Sequence, residues 1–262
     1  MSLPNFTLTV DGLSRTTSYR NNGGTLKDAV IWCHGGGGTG QAFLENKIEV
    51  RSGVIDYGPD ALVLVGTECP DHTWVGPGEP WGSCVPNTET DIRYMDALVA
   101  RIKTDHPGIR IWMGGFSSGA KNTWNVYGYN ADSNFPNLAD ISGFGIGSFG
   151  EPTSWVWTSK TKTPKPAALW YGTSEPNPIE GAKTFVASAI DLGSLHGCTG
   201  QTSWHSLGQC CGKDLQRQEG ISCTADFWYY KRVGGIHVWS DCSGCHEDDH
   251  FVQLWANNGF GT

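Results

Sequence analysis

Six short apolar runs punctuate the chain: Ala29 to Cys33, Ala61 to Val65, Ile109 to Met113, Ile141 to Ile146, Ala167 to Tyr171 and Phe227 to Val233. Runs of this length with little polar alternation predict strands covered on both faces. Between the second and third runs, Ile92, Met95, Val99 and Ile102 recur at helical spacing, with Thr88 at the N-cap position and Asp91 three residues on. Further helices are expected after Ser117, from Ile179 to Ile190, and from about Glu247 to Ala256. Strands alternating with helices predict the α/β class, a mainly parallel central sheet with helices on both faces. Residues 193–225 hold four cysteines and no sustained period, which predicts a disulfide-tied excursion. No internal repeat or low-complexity linker interrupts the pattern, so one domain over 1–262 is expected.

Composition narrows the partners. Glycine supplies 36 of 262 residues, about twice ordinary usage, which predicts many tight turns around the sheet. A net charge of −8 with no Lys/Arg cluster argues against a nucleic-acid footprint or a cationic membrane face. No apolar stretch approaches the roughly 20 residues of a membrane span, and the N-terminus lacks the regions of a signal peptide. The expectation is either a cytosolic chain or one whose signal has been removed.

Nine cysteines favour the second alternative, a secreted protein, because cross-links persist in an oxidising compartment. The odd count leaves one thiol over, and Cys33, inside an apolar run, is the expected one. Cys69 with Cys84 is a plausible local pair; the six cysteines between 198 and 245 leave their connectivity open. The sequon Asn5-Phe6-Thr7 fits secretion.

The chemistry concentrates at strand ends. The run Ile109 to Met113 leads into Gly114-Gly115-Phe116-Ser117-Ser118-Gly119-Ala120 and then a predicted helix. Flanking glycines let a chain turn sharply there and present a serine hydroxyl as a nucleophile. The first run ends in His34-Gly35-Gly36-Gly37-Gly38-Thr39-Gly40, a turn able to lend a backbone N–H to an oxyanion. Gly36 is the expected donor, joined by the N–H of Ser118. An acid and then a histidine should follow. Glu175 lies just past the run Ala167 to Tyr171, and His237 lies in the turn Gly234-Gly235-Ile236-His237-Val238-Trp239. Asp191, Asp214 and Asp241 are alternative acids.

Other patterns compete. Gly35, Gly37 and Gly40 also satisfy a dinucleotide fingerprint, with Glu68 as a loose acidic partner, although His34 and the unused Ser and His elements count against it. A binding protein with an inert hydrolase fold is disfavoured because every triad element is present. Cys242-Ser243-Gly244-Cys245-His246 matches a haem-attachment pattern, and Cys242, Cys245, His246 and His250 resemble zinc ligands, but disulfides are the better reading for these cysteines. Trp32 and Trp112 should be core; Trp74, Trp81 and Trp239 lie near expected strand ends, where they could bind substrate by stacking on a sugar or phenolic ring.

Four segments together carry a resemblance. His34-Gly35-Gly36, Gly115-Phe116-Ser117-Ser118-Gly119, Tyr171-Gly172-Thr173-Ser174-Glu175 and Gly234-Gly235-Ile236-His237-Val238-Trp239 resemble, in order from about residue 28 to 240, the secreted polyhydroxybutyrate depolymerase and feruloyl esterase family. The resemblance implies an α/β-hydrolase fold, polymer-borne ester substrates, no cofactor or metal, and Ser117, Glu175 and His237 as the triad. It departs from the family in having Glu175 where an Asp is usual and in the length of its cysteine-rich stretch. Feruloyl or acetyl esters of plant cell-wall polysaccharide are the expected substrates, with a hydroxyalkanoate polyester as the close rival.

Overall fold

In the computed structural model, residues 5–21, 23–48, 57–66, 89–148, 162–175, 195–236, 241–242 and 245–262 are described. All six apolar runs are strands: β3 (Asp28–Cys33), β4 (Ala61–Gly66), β5 (Arg110–Phe116), β6 (Ile141–Gly147), β7 (Ala167–Gly172) and β11 (Phe227–Arg232). They pair in parallel in the order β4-β3-β5-β6-β7-β11. Every residue of β3, β4 and β7 is buried because successive side chains point to opposite faces and each face is covered.

Ala29, Ile31 and Cys33 pack with the apolar faces of α2 (Thr90–Asp105) and α3 (Ser118–Gly128). Val30 and Trp32 pack on the other side with α1 (Gly40–Phe43) and α4 (Glu247–Asn257), where Trp255 meets Trp32 and Trp112. The sheet therefore has helices on both faces. Trp32 and Trp112 are core, as expected. None of the described helices is long and apolar enough to cross a membrane. The expected helix over 179–190 lies outside the described residues. Helix α2 starts later than its pattern suggests: Glu89, not Thr88, holds the cap position, without a side-chain cap bond. The Glu89 carboxylate instead accepts from Tyr129 Oη at 2.6 Å, and Thr88 is not among the described residues.

Antiparallel strands flank the parallel core on both sides. At one edge β1 (Asn5–Val10) and β2 (Leu13–Asn21) form a hairpin that joins β4. Its turn has Asp11 at φ 54° and Gly12 at φ 78°, the two positive angles of a type I′ turn. Arg15 of β2 forms a buried ion pair with Asp91 of α2 and lies 4.8 Å from the Tyr94 ring centre. At the other edge the cysteine-rich excursion is regular after all. β9 (His205–Cys210) and β10 (Lys213–Ile221) form a second hairpin, turned at Cys211 (φ 50°) and Gly212 (φ 71°), and β8 (Gly200–Gln201) also pairs with β10. β10 joins β11, giving a sheet of eleven strands among the described residues.

Disulfides fasten this edge. Cys198 bonds Cys223, and Cys210 bonds Cys245 just before α4. Cys211 is also disulfide-bonded, so Cys210 and Cys211 do not bond each other. Cys245 is thereby consumed as a thiolate, which removes it from any zinc or haem site. Cys33 keeps a buried thiol, approached by Asn122 Nδ2 at 3.6 Å. Cys69 and Cys84 lie outside the described residues.

Two histidines, the buried His196 and the half-buried His250, make the fold acid-sensitive. His196 sits between the Ala225 carbonyl (Nδ1, 3.0 Å) and Tyr127 Oη (Nε2, 3.1 Å), and burial pushes its pKa down to about 4. His250 stacks on Trp170 at 5.2 Å, and burial, followed by Arg217 and His246, lowers it likewise to about 4. The unfolded chain takes up these protons near pH 6.5, whereas the folded chain resists them until about pH 4. Folding stability is therefore complete above pH 6.5 and is lost as the pH falls toward 4. Melting temperature measured from pH 7 to 4.5 should decline throughout that window; a flat or rising profile would contradict the burial of these rings.

Candidate active site

Strand β5 delivers Ser117 to the carboxyl edge of the sheet in a conformation few serines adopt, φ 54° and ψ −122°. Such angles persist only where the surroundings over-determine them, and here two glycines do so. A Cβ on Gly119 would overlap the Cys33 carbonyl oxygen and lie 2.5 Å from His34 O; one on Gly115 would overlap the Gly119 carbonyl and lie 2.5 Å from Thr123 Oγ1. Their absence lets α3 start directly against β3. Ser117 then sits at the N-cap of α3, its carbonyl accepting the first helical bond from Lys121 N at 3.1 Å and its own N–H donating to Gly147 O at 2.9 Å. The amides of the first turn, Ser118 foremost, lie where the helix end favours negative charge.

The glycine run after β3 comes back to the same place. A Cβ on Gly35 would be 3.4 Å from Ser117 Cβ and 3.2 Å from the Phe116 ring. Gly35 to Gly38 form a tight turn closed by Gly38 N donating to Gly35 O at 3.2 Å, with Gly37 at φ 77°, the positive angle that a type II turn requires at its third position. Gly36 occupies the second position and is exposed. His34 is buried beneath, its Nδ1 2.8 Å from Gly35 O. Gly35, which packs against Ser117, enters the sequence reading through the dinucleotide fingerprint and not as an oxyanion donor; its contact with the nucleophile is visible only in the packing.

Glu175 is placed by β7, two strands from the nucleophile strand. Although it follows a strand like many solvated glutamates, it is only 6% exposed. Its Oε1 accepts from the Gly172 amide and from Ser148 Oγ at 3.0 Å. The Gly172–Glu175 turn also grips the turn after β11. Thr173 N donates to Arg232 O (3.1 Å), Ser174 N to Gly235 O (2.8 Å), and Gly234 N to Thr173 Oγ1 (2.7 Å). Arg232 Nη2 holds Ile236 O at 2.8 Å. These bonds prolong the parallel β7/β11 pairing past the strand ends, so the backbone reaching Ile236 is bound to the loop that carries Glu175.

His237 and Trp239, one and three residues further, lie outside the described residues, as do Trp74, Trp81, Glu68 and Asp191. Of Asp241 only the backbone is described, in a short strand. Asp214 lies on β10, its carboxylate engaged by Ser206 Oγ (2.5 Å) and Gln216 Nε2 (2.7 Å), bonds that hold its pKa below the ordinary value. Two residues at this edge carried no sequence signal. Ser148 is fully buried at φ 52°, and Glu247, fully buried at the start of α4, faces Gly147, where a Cβ would overlap its Oε1. Among the described residues no cluster of His, Cys, Asp and Glu is arranged to hold a metal ion.

The architecture recurs in solved structures. Acyl-protein thioesterase 2 of Zea mays aligns with a TM-score of 0.56 at 18% identity, over 93% of this chain and 99% of that one. An alpha-beta serine hydrolase homologue from Coxiella burnetii gives 0.56 at 16% identity, over 98% of each chain. Thermogutta terrifontis esterase 2, phosphoramylated by tabun, gives 0.53 at 9% identity, over 99% of this chain and 93% of that one. No family model matches the sequence, and no curated protein matches it. The chain has the α/β-hydrolase fold, with a disulfide-tied extension at one edge of the sheet.

Proposed function

We propose that this α/β-hydrolase fold carries a serine esterase in which Ser117 is the nucleophile, His237 its base and Glu175 the acid. The observation that carries the proposal is the strained Ser117 at the junction of β5 and α3, with the Gly35 turn packed against it. Solved structures that share the fold include enzymes described as esterases and a thioesterase, which is consistent with the same chemistry here.

In this reading Ser117 Oγ attacks the ester carbonyl while His237 takes its proton. The N–H groups of Gly36 and Ser118 stabilise the oxyanion, and Glu175 orients the imidazole and stabilises its charged form. The alcohol leaves with the proton returned by His237, and water then hydrolyses the acyl-enzyme by the same steps. The burial of Glu175 and the bonds from its loop to Gly234, Gly235 and Ile236 support its role. Glu175→Gln should preserve folding and lower kcat by about 10²–10⁴-fold, because the amide neither selects the productive tautomer nor stabilises the imidazolium. Glu175→Asp should retain partial turnover. Wild-type kcat in the Gln variant would remove Glu175 from the site and leave Ser117 and His237 in place.

The substrates proposed are feruloyl or acetyl esters on plant cell-wall polysaccharide, with Trp74, Trp81 and Trp239 as stacking residues and the protein secreted. The disulfides support an oxidising compartment. One observation favours the rival, a hydroxyalkanoate polyester: Val233 and Ile236, flanking the glycines of the histidine turn, are 42% and 58% exposed and would suit an apolar chain. Against dinucleotide binding, Gly35 is packed on Phe116 and Ser117. Hydrolysis of methyl ferulate, acetylated xylan and a short hydroxybutyrate oligomer tests the assignment. Preference for either of the first two supports the cell-wall reading, preference for the third assigns the polyester, and cleavage of none overturns the esterase.

A further inference from the structure

We infer that Ser148 is a positioning residue, and that the dipeptide Gly147-Ser148 at the end of β6 ties the acid of the site to the nucleophile elbow; this rests on the roles proposed above for Ser117 and Glu175. Strand β6 runs between the strand that delivers Ser117 and the strand that delivers Glu175. Its last carbonyl, Gly147 O, accepts from Ser117 N at 2.9 Å. The next residue turns the other way: Ser148 N donates to Trp170 O of β7 at 2.7 Å, and Ser148 Oγ donates to Glu175 Oε1 at 3.0 Å. One peptide unit thus separates the group that holds the elbow from the group that holds the acid. The unit is closely packed: a Cβ at Gly147 would meet the buried Glu247 carboxylate and lie 3.1 Å from the Gly115 carbonyl oxygen.

The backbone at Ser148 shows what the hydroxyl does. Its φ of 52° lies in the left-handed region, where a glycine sits without steric penalty and an L side chain is strained. What serine supplies beyond glycine is the Oγ, and that atom lies on Glu175. With the Gly172 amide on the same oxygen, two donors hold Glu175 Oε1 in place within the loop that is bonded to residues 234 and 235. A hydrogen bond to a charged, buried group is among the stronger ones, and holding an acid within a few tenths of an ångström is what turnover requires of it.

The experiment compares kcat, KM and melting temperature on p-nitrophenyl acetate for wild type, Ser148→Gly and Ser148→Thr, with Ser117→Ala and Glu175→Gln as references. Ser148→Gly should melt within a few degrees of the wild-type temperature, because the strain it relieves offsets the lost bond to Glu175, yet lose about 10–100-fold in kcat with KM unchanged. Ser148→Thr keeps the hydroxyl and should keep kcat, while melting lower because a branched side chain is poorly tolerated at positive φ. Wild-type kcat in Ser148→Gly overturns the inference, as does a folded Thr variant that loses as much kcat as the Gly variant. If Ser117→Ala is inactive and Glu175→Gln impaired while Ser148→Gly is not, the positioning role alone fails. Undiminished activity in Ser117→Ala instead removes the esterase reading, and undiminished activity in Glu175→Gln removes the acid on which this inference rests.

Discussion

Replacing Ser117 with alanine should lower ester turnover by about 10⁶-fold while leaving the melting temperature within a degree or two of wild type. Alanine at φ 54° carries the same backbone strain as serine, and the bonds that seat residue 117, its N–H on Gly147 O and its carbonyl on Lys121 N, are made by the main chain. The substitution therefore removes a hydroxyl from a partly exposed position without disturbing the packing beneath. Residual hydrolysis should be that of an oxyanion site lacking its nucleophile, well above water but far below the enzyme. A variant that keeps a tenth or more of wild-type kcat would show that the acyl group is not transferred to this serine.

A second large effect belongs to Gly119→Ala, and it falls on folding. The added methyl would overlap the Cys33 carbonyl and lie 2.5 Å from that of His34. Both are main-chain atoms at the end of a fully buried central strand, which cannot yield as a flexible side chain does. Relief requires α3 to move away from β3, and with it the amide of Ser118. The expected loss is about 3 kcal/mol or more, a fall in melting temperature of roughly 10 °C for a chain of this size, together with loss of activity. Gly37→Ala provides the contrast: its Cβ meets nothing within 4 Å, and only its φ of 77° is unfavourable. That change should cost about 1 kcal/mol. Equal melting temperatures for the two variants would mean that close approach of helix to strand does not set the elbow.

The parallel core was legible because its strands are covered twice. A strand buried on both faces, such as Ala29 to Cys33, is an uninterrupted apolar run, and the glycines at its end mark where the chain must approach another backbone. The edges were harder to read for the opposite reason. On β10 Leu215 is buried while neighbouring positions are polar and partly exposed, Arg217 pairing with Glu219 at 2.7 Å and lying 4.2 Å from the Trp228 ring centre, so hydrophobic period says little. The first hairpin did carry a signal, the alternation of Phe6, Leu8 and Val10 followed by Asp11-Gly12, which turn chemistry would have recognised.

Within the site, Ser117 and Glu175 were readable from their positions after predicted strands, and the structure brings both to the carboxyl edge of one sheet. Ser148 and Glu247 were not, since nothing in a serine after a glycine, or in a glutamate opening an acidic run, reveals burial. Their environment is made by strands and helices distant in sequence: Ser148 meets Glu175 27 residues away, and Glu247 at the start of α4 meets Gly147 at the end of β6.

The central claim, that Ser117 is an activated nucleophile, is tested most directly by covalent labelling of the native protein with a fluorophosphonate, followed by tryptic digestion and fragmentation of the peptide Ile111–Lys121. The account predicts one adduct per chain, located on Ser117 rather than on Ser118, and absent after unfolding or in Ser117→Ala. A native protein that takes no label, or takes it at another residue, would contradict it.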